Sequence, residues 1–452
     1  MIAPIAVLLR SATAIALLAC FGATASAMTR SNLVYELFWK LRTDVGTPGP
    51  RYGHALAYDS DRGVTVFFGG EYSVIGGDPE YFNDTWEYDG ATWRPITTDG
   101  PVPDPRSRHA MCYDSALRKV ILFGGKNDSA YFNDVWNYES TGPQRGRWIH
   151  RSLSLGPGPL AGHTMVYDSF RAVAIVAGGT PDQFVPNHRQ TQAIWEWHND
   201  TSQWFLRGEY LGYRDSDLGS GLTGQMMIYD YQRHQALVFG GAGPHGLNIV
   251  GSDDGYVITE NSVERLRCGP PVSEGAMVYD GYHDMYFGFG GNESGFNRDF
   301  EPQQPRPKQE MILWPAYDGF PCFSPPLEVG EVEFDFYQSS ILVRPNDRAQ
   351  CAMVYDEKRR VTVLLGGVGG TRYSDTWELV TRDLREAWVR FNYTGREVGT
   401  GDLPFSTIAK GLAGVAPAGT LKINAGSTLE TPHLVDPVTI QAIGGPVIIG
   451  RR

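Results

Sequence analysis

Six times along this chain a Tyr-Asp pair is followed, at one constant distance, by a Gly-Gly pair. The aspartates are Asp59, Asp114, Asp168, Asp230, Asp280 and Asp356, and the glycine pairs begin at Gly69, Gly124, Gly178, Gly240, Gly290 and Gly366. The spacing never slips. A unit of this size cannot bury its apolar face alone, so the repeat restricts the chain to a propeller or a solenoid.

The stretch Arg106 to Trp136 shows what one unit contains. Ala110-Met111-Cys112-Tyr113-Asp114 leads through a polar turn to Val120-Ile121-Leu122-Phe123 and Gly124-Gly125, and a loop then reaches Asn133-Asp134-Val135-Trp136. Short runs rich in Val, Ile, Phe and Tyr, bounded by Gly, Asp and Asn, read as strands. Strand A ends in Tyr-Asp and strand B ends in Gly-Gly. Strand C carries Trp86, Trp136, Trp195 or Trp377, and strand D carries Trp93, Trp148, Trp204 or Trp388. In the fourth repeat Tyr256-Val257-Ile258 and Val263 to Leu266 stand in as C and D, and in the fifth Trp314 marks C. The Asp suits the A–B turn because its carboxylate bonds its own turn backbone. A Trp buries roughly 150–250 Å², about 4–6 kcal/mol gross at about 25 cal/mol per Å². A single sheet cannot use that much burial, so the tryptophans should pack between adjacent sheets.

The Tyr-Asp, Gly-Gly and spaced-Trp pattern resembles the Kelch repeat, the unit of Kelch β-propellers and of the galactose oxidase central domain. The resemblance covers about residues 33–393. It implies that strand A is innermost, that strand D is outermost, and that strands from both chain ends close the ring. The expected fold is all-β: a six-bladed Kelch-type β-propeller, favoured over seven blades because no further Tyr-Asp/Gly-Gly pair lies in residues 292–347. Trp388 offers a D strand to the sixth repeat, and the strand around Trp39 offers a competing one; closure by the N-terminal strand is the expectation.

In an up-and-down blade the A–B and C–D turns share one face, and the B–C and D–A loops share the other. Length varies in the B–C loops 71–83, 180–192, 242–254 and 292–308 and in the D–A loops 206–222 and 319–346. A rigid scaffold with variable loops on one face is the layout of a binding surface. The loops supply Tyr81, Phe184 and Tyr213, aromatics suited to stacking on sugars or anchoring a protein partner. Arg51, Arg106 and Arg348 recur eight residues before the aspartate, where they should ring the mouth on that face, bound to an acidic group or paired with loop carboxylates. These six residues are the candidate ligand contacts.

His54, His109 and His163 occupy one slot, five residues before the aspartate. Zinc needs ligands that converge, and equivalent positions on successive blades are spread around an axis. A structural role near the start of strand A is therefore expected, with no metal and no cofactor. Cys112-Tyr113 does not form a copper site, because adjacent residues of a strand face opposite ways. Asp89 to Trp93 is similar to the end of a sialidase Asp-box, yet it occurs once. No G-x-S-x-G, H-E-x-x-H or phosphate loop is present. The alternative to a binding protein is a carbohydrate-active enzyme, a hydrolase, lyase or oxidase, using loop carboxylates.

Residues 1–27 read as a signal peptide, with small apolar residues before Ala25-Ser26-Ala27. Leu17-Leu18-Ala19-Cys20 is similar to a lipoprotein box; the A-x-A site favours soluble export over a lipid anchor at Cys20. The expected location is secreted, periplasmic or cell-surface, and bacterial. Export permits disulfides. Cys268 and Cys322 flank loops of neighbouring repeats and are the expected pair, whereas Cys112 and Cys351 lie in strands A of non-adjacent repeats and should be free and buried. The net charge of −12 argues against nucleic acid as a partner. Residues 396–452 form a separate segment: a short helix within residues 404–412, then strands at Thr420 to Ile423, Val438 to Ile440 and Val447 to Ile449. It resembles the cap and first coil of a right-handed parallel β-helix. The expected function is recognition of an extracellular glycan or protein through the variable-loop face.

Overall fold

The computed structural model describes residues 35–43, 45–74, 76–151, 156–181, 193–209, 223–245, 248–251, 255–266, 272–293, 306–307, 311–315, 344–383, 385–395, 397, 400–401, 404–413, 415, 419–431 and 438–450. Residues 1–27, Phe184, Tyr213, Cys268 and Cys322 lie outside the described residues. The chain divides into two compact units. One is Trp39–Leu327 with Val343–Leu379; the other is Met1–Phe38, Glu328–Leu342 and Val380–Arg452.

In the first unit the first four repeats each become one antiparallel sheet in the order A-B-C-D. The first blade is Ala55–Asp59, Val64–Phe68, Thr85–Tyr88 and Trp93–Ile96; the second is Ala110–Asp114, Lys119–Phe123, Val135–Glu139 and Trp148–Arg151. The third is Leu160–Asp168, Val173–Pro181, Ala193–His198 and Gln203–Glu209, and the fourth is Met226–Asp230, Gln235–Phe239, Gly255–Ile258 and Val263–Leu266. The sixth repeat supplies Ala352–Asp356, Val361–Leu365 and Thr376–Asp383, and the N-terminal strand Tyr35–Arg42 adds itself as the outer strand. In that sheet Arg42 Nη1 bonds the Glu378 carboxylate at 3.0 Å.

The fifth repeat departs from the rest. Its sheet has three strands, Ala276–Asp280, Met285–Phe289 and Met311–Pro315. The expectation of six four-stranded blades, and its seven-bladed alternative, is therefore corrected: the described residues form a propeller of five four-stranded blades, with this three-stranded sheet between the fourth and sixth repeats. No tryptophan follows Trp314 before Trp377, yet the fourth repeat builds four strands without one; the stretch 316–343, where a further strand of this repeat would fall, lies outside the described residues.

The A–B turn works as its chemistry requires. Asp59 Oδ1 accepts the N–H groups of Asp61 and Arg62, both at 3.1 Å, and Asp114, Asp168, Asp230 and Asp280 repeat the pattern. The tyrosine beside it reaches the preceding blade: Tyr58 donates to Asp356 at 2.7 Å and Tyr229 to Asp168 at 2.5 Å. Thus one dipeptide closes its own hairpin and latches its neighbour.

The core lies in the seams between blades. Val66 and Phe68 of the first blade pack with Val120, Leu122, Tyr138 and Trp148 of the second, and Phe123 and Val135 of the second pack with Val176, Trp197 and Trp204 of the third. Strand-D tryptophans bridge backwards as expected: Trp93 Nε1 donates to Thr376 Oγ1 and Trp148 Nε1 to Thr85 Oγ1, both at 2.9 Å. The Gly-Gly pair permits this closeness. Gly69 has φ +66°, and a Cβ there would lie 2.8 Å from the Arg106 carbonyl oxygen.

The second unit holds a parallel sheet of Glu386–Val389, Thr420–Thr428 and Thr439–Ile449, with the short helix Ile408–Ala413. Ala387, Val389, Phe405, Ile408, Leu421 and Ile423 form its core. Trp388 therefore sits in this sheet and is not the D strand of the sixth repeat. The two short strands expected at Val438 to Ile440 and Val447 to Ile449 are one strand with a register shift. Parallel stacking here agrees with the β-helix-like reading.

Candidate binding site

Six residues, each six positions before its Tyr-Asp aspartate, meet at the start of the inner strands. They are Gly53, Arg108, Gly162, Gly224, Glu274 and Gln350. Their backbones form a closed ring of hydrogen bonds: Arg108 N–H to Gly53 at 2.7 Å, Gly162 to Arg108 at 2.9 Å, Gly224 to Gly162 at 2.8 Å, Glu274 to Gly224 at 2.7 Å, Gln350 to Glu274 at 2.8 Å and Gly53 to Gln350 at 3.1 Å. All six have left-handed backbones, with φ between 52° and 68°. Glycine takes that conformation without cost, whereas another residue costs roughly 1–2 kcal/mol. Arg108, Glu274 and Gln350, at φ 55°, 60° and 52°, are held there nonetheless. Strain retained by large polar residues at one spot points to function.

Their side chains meet. Arg108 Nη2 pairs with Glu274 Oε1 at 3.0 Å, and Glu274 Oε2 accepts from Asn292 Nδ2 at 2.8 Å and Gln350 Nε2 at 3.1 Å. Arg108 Nε and Gln350 Oε1 are buried with no hydrogen-bond partner in the protein. The cluster thus offers one unspent donor and one unspent acceptor. The Glu274 carboxylate ties Arg108, Asn292 and Gln350 together.

The ring opens toward the B–C and D–A loops. Residues just before ring positions pair with the start of B–C loops: Tyr52 with Glu71, Ser107 with Lys126, Thr223 with Ala242 and Ala349 with Val368. Small ladders such as Glu71–Tyr72 with Glu80–Tyr81 extend this rim. Tyr81 is half-buried there, and its hydroxyl donates to Asp128 at 3.1 Å. Burial, then nearby Glu71 and Asp128, push that phenol well above its ordinary range. Glu71 is buried and accepts from Ser107 Oγ at 3.0 Å.

Arg51, Arg106 and Arg348 do not point into this mouth. All three are buried. Arg106 Nε donates to the Asp104 carbonyl at 2.9 Å, Nη1 to Gly124 at 3.0 Å and Asp134 at 2.6 Å, and Nη2 to Asp134 at 2.9 Å. Phe132 lies under the guanidinium at 3.9 Å. Arg348 makes the same set with Asn346, Gly366 and Asp375 over Tyr373, and Arg51 pairs with Asp84 over Phe82. Trp86, Trp136 and Trp377 donate to these same aspartates. Of the two roles expected for the arginines, the structure places them with loop carboxylates. The axial residues are two positions further on, and the sequence signal for them was a slot alternating between Gly and a long polar side chain.

His54, His109 and His163 fill seams beside Gly366, Gly69 and Gly124, packed against Phe67, Phe68 and Phe123. His54 Nε2 bonds the Leu365 carbonyl at 3.2 Å. Among the described residues no group of three His, Cys, Asp or Glu could hold a metal. Cys112 and Cys351 are free and buried.

A family model described as the KLHDC2/KLHL20/DRC7 Kelch-repeats domain matches residues 22–208. Dynein regulatory complex subunit 7 of Chlamydomonas reinhardtii is 32% identical over 80 residues, 17% of this chain and 6% of that protein. The chain thus spans a small fraction of that relative's length. A solved structure described as the structure of YjhT matches with a TM-score of 0.50 at 15% identity, covering 74% of this chain and 98% of that one; this likeness is one of fold. The chain carries a Kelch-repeat-type β-propeller domain.

Proposed function

We propose that this chain is an exported binding protein, secreted or held at the cell surface, that recognises an extracellular glycan or protein through the face bearing the variable loops. The observation that carries the reading is the axial cluster. Three polar residues keep a strained backbone conformation that glycine fills in the other repeats, and within the cluster one buried donor, Arg108 Nε, and one buried acceptor, Gln350 Oε1, have no protein partner. A hydroxyl both donates and accepts, so polyhydroxylated ligands match this pair, and half-buried Tyr81 on the rim offers an apolar face for stacking. The enzymatic alternative gains no support from Glu274, whose oxygens are already occupied.

The test is a glycan array with the purified mature chain, followed by titration of each hit against variants. Arg108→Gly should leave stability within about 1 kcal/mol, since relief of the left-handed strain offsets the lost ion pair. It should weaken binding by about 1 kcal/mol or more, as should Tyr81→Ala. Lys119→Ala, in the opposite turns, should be neutral. A ligand whose affinity depends on Lys119 and ignores Arg108 and Tyr81 refutes the assignment of the face.

A further inference from the structure

Among the described residues, the strand Thr439–Ile449 is an edge of the parallel sheet. It is 11 residues long and holds no Lys, Arg, Asp or Glu. Ile440, Ile448 and Ile449 are 42%, 47% and 37% exposed. Proteins blunt such edges with charge, short length or proline. The strand does contain Pro446, and the direction of its backbone decides whether that proline protects the edge.

Thr439 N–H bonds the Gly419 carbonyl at 2.9 Å, and Gly450 N–H bonds Thr428 at 3.2 Å. Both therefore point inward, to the neighbouring strand. Backbone groups alternate sides along a strand. Counting forward from Thr439, Ile440 and Ala442 turn theirs to the free edge. Counting back from Gly450, Ile449 and Val447 do the same, and Pro446 faces inward. A register shift between Asn424 and Gly426 on the partner strand separates the two halves. The missing N–H thus falls at the bulge and leaves the free edge unblocked.

The four free-edge residues are arranged symmetrically about Gly444-Gly445. Ile440 mirrors Ile449, and Ala442 mirrors Val447. In an unbroken strand, residues separated by an odd number point to opposite faces; the register shift brings these pairs onto one face. That face is the core side: Ile440 ladders with Leu421 and Ala442 with Ile423, both fully buried, and Val447 packs on the same cluster. An antiparallel ladder requires opposed residues that exchange both hydrogen bonds and share a face. This edge meets the requirement with a reversed copy of itself.

We propose that the edge is a homodimer interface, in which the Thr439–Ile449 strands of two copies pair antiparallel across a two-fold axis at Gly444-Gly445. The contact is isologous. It joins two three-stranded sheets into one and covers Ile440 with Ile449 of the second copy.

Sedimentation velocity of the full mature chain tests this. A monomer–dimer equilibrium is expected at micromolar concentration. Ile440→Lys, an exposed position, should raise the dissociation constant by about tenfold or more, equivalent to about 1.4 kcal/mol. Register is read separately by cross-linking. Gln441 and Ile448 become directly opposed non-hydrogen-bonded neighbours, with Cα atoms about 4.5 Å apart, inside the disulfide range of about 4.4–6.8 Å. Gln441→Cys combined with Ile448→Cys should give oxidised dimers, and neither substitution alone should. A wild-type chain that stays monomeric overturns the proposal. So does a dimer indifferent to Ile440→Lys, or single-cysteine variants that cross-link as well as the double.

Discussion

Acidification from pH 7 to pH 5 should weaken this propeller through its seam histidines. His54 and His163 are buried, and burial lowers their pKa from 6.5 to about 3 and about 4; the Arg51 guanidinium adds to the effect at His54. Burial, then Arg106 and the neighbouring imidazoles, hold His109 well below its ordinary value. The folded pKa lies below the unfolded one, so each neutral ring stabilises the fold fully above about pH 6.5. That stability is lost as pH falls from there toward the folded pKa, because the unfolded chain binds the proton first. At pH 5 His54 and His163 have each cost about 1.36 × 1.5, or about 2 kcal/mol. His54 and His163 together therefore remove about 4 kcal/mol, with His109 acting in the same direction, from a typical total of about 5–15 kcal/mol. The seam carboxylates Asp59, Glu87, Asp134 and Glu378 are held below their ordinary range, so they titrate beneath this window. Urea unfolding at a series of pH values from 7 to 5 reads the effect. His163→Leu should shrink the pH-dependent loss by about 2 kcal/mol, whatever it does to stability at pH 7. A wild-type stability that is flat across this range, or a His163→Leu variant with the full slope, refutes the reasoning.

Two further outcomes follow from the same seams. Arg106→Met leaves the Asp134 carboxylate without its cation, with only the Trp136 indole still donating to it, and should cost about 3–5 kcal/mol in urea unfolding; Arg106→Lys should recover little, since one ammonium cannot span Asp104, Gly124 and both Asp134 oxygens. A loss under about 1 kcal/mol would show that the latch is not structural. Burial pushes the Cys351 thiol up to about 11 and the Cys112 thiol well above its ordinary value, so thiol reagents near neutral pH should modify neither until the fold opens, and rapid native labelling of either residue would contradict the seam packing.

Local chemistry made the repeat readable from sequence. An Asp closing its own turn, a Gly-Gly pair after a β-branched run and a Trp in strands C and D are short-range signals; they located the strands of the first three repeats, and apolar runs stood in for the missing tryptophans of the fourth. The helix of the second unit was legible for the same reason, although it runs Ile408–Ala413 and not from Pro404. Only the tertiary structure decided how the units close. Trp388 and Trp39 both satisfied the local pattern for an outer strand, and the choice between them depended on pairing between residues more than 300 positions apart. The fifth repeat shared its dipeptides with the others, and among the described residues its sheet has three strands, a difference that no local signal marked. The axial cluster was hidden for a related reason. Arg106 and Arg108 are equally plausible by eye, but Arg106 turns into its own blade to meet Asp134, whereas Arg108 meets Glu274, 166 residues away. Spacing along a chain records which residues share a role in a repeat. Which of them share a place is determined by the closed ring, where contacts form between residues that no local pattern links.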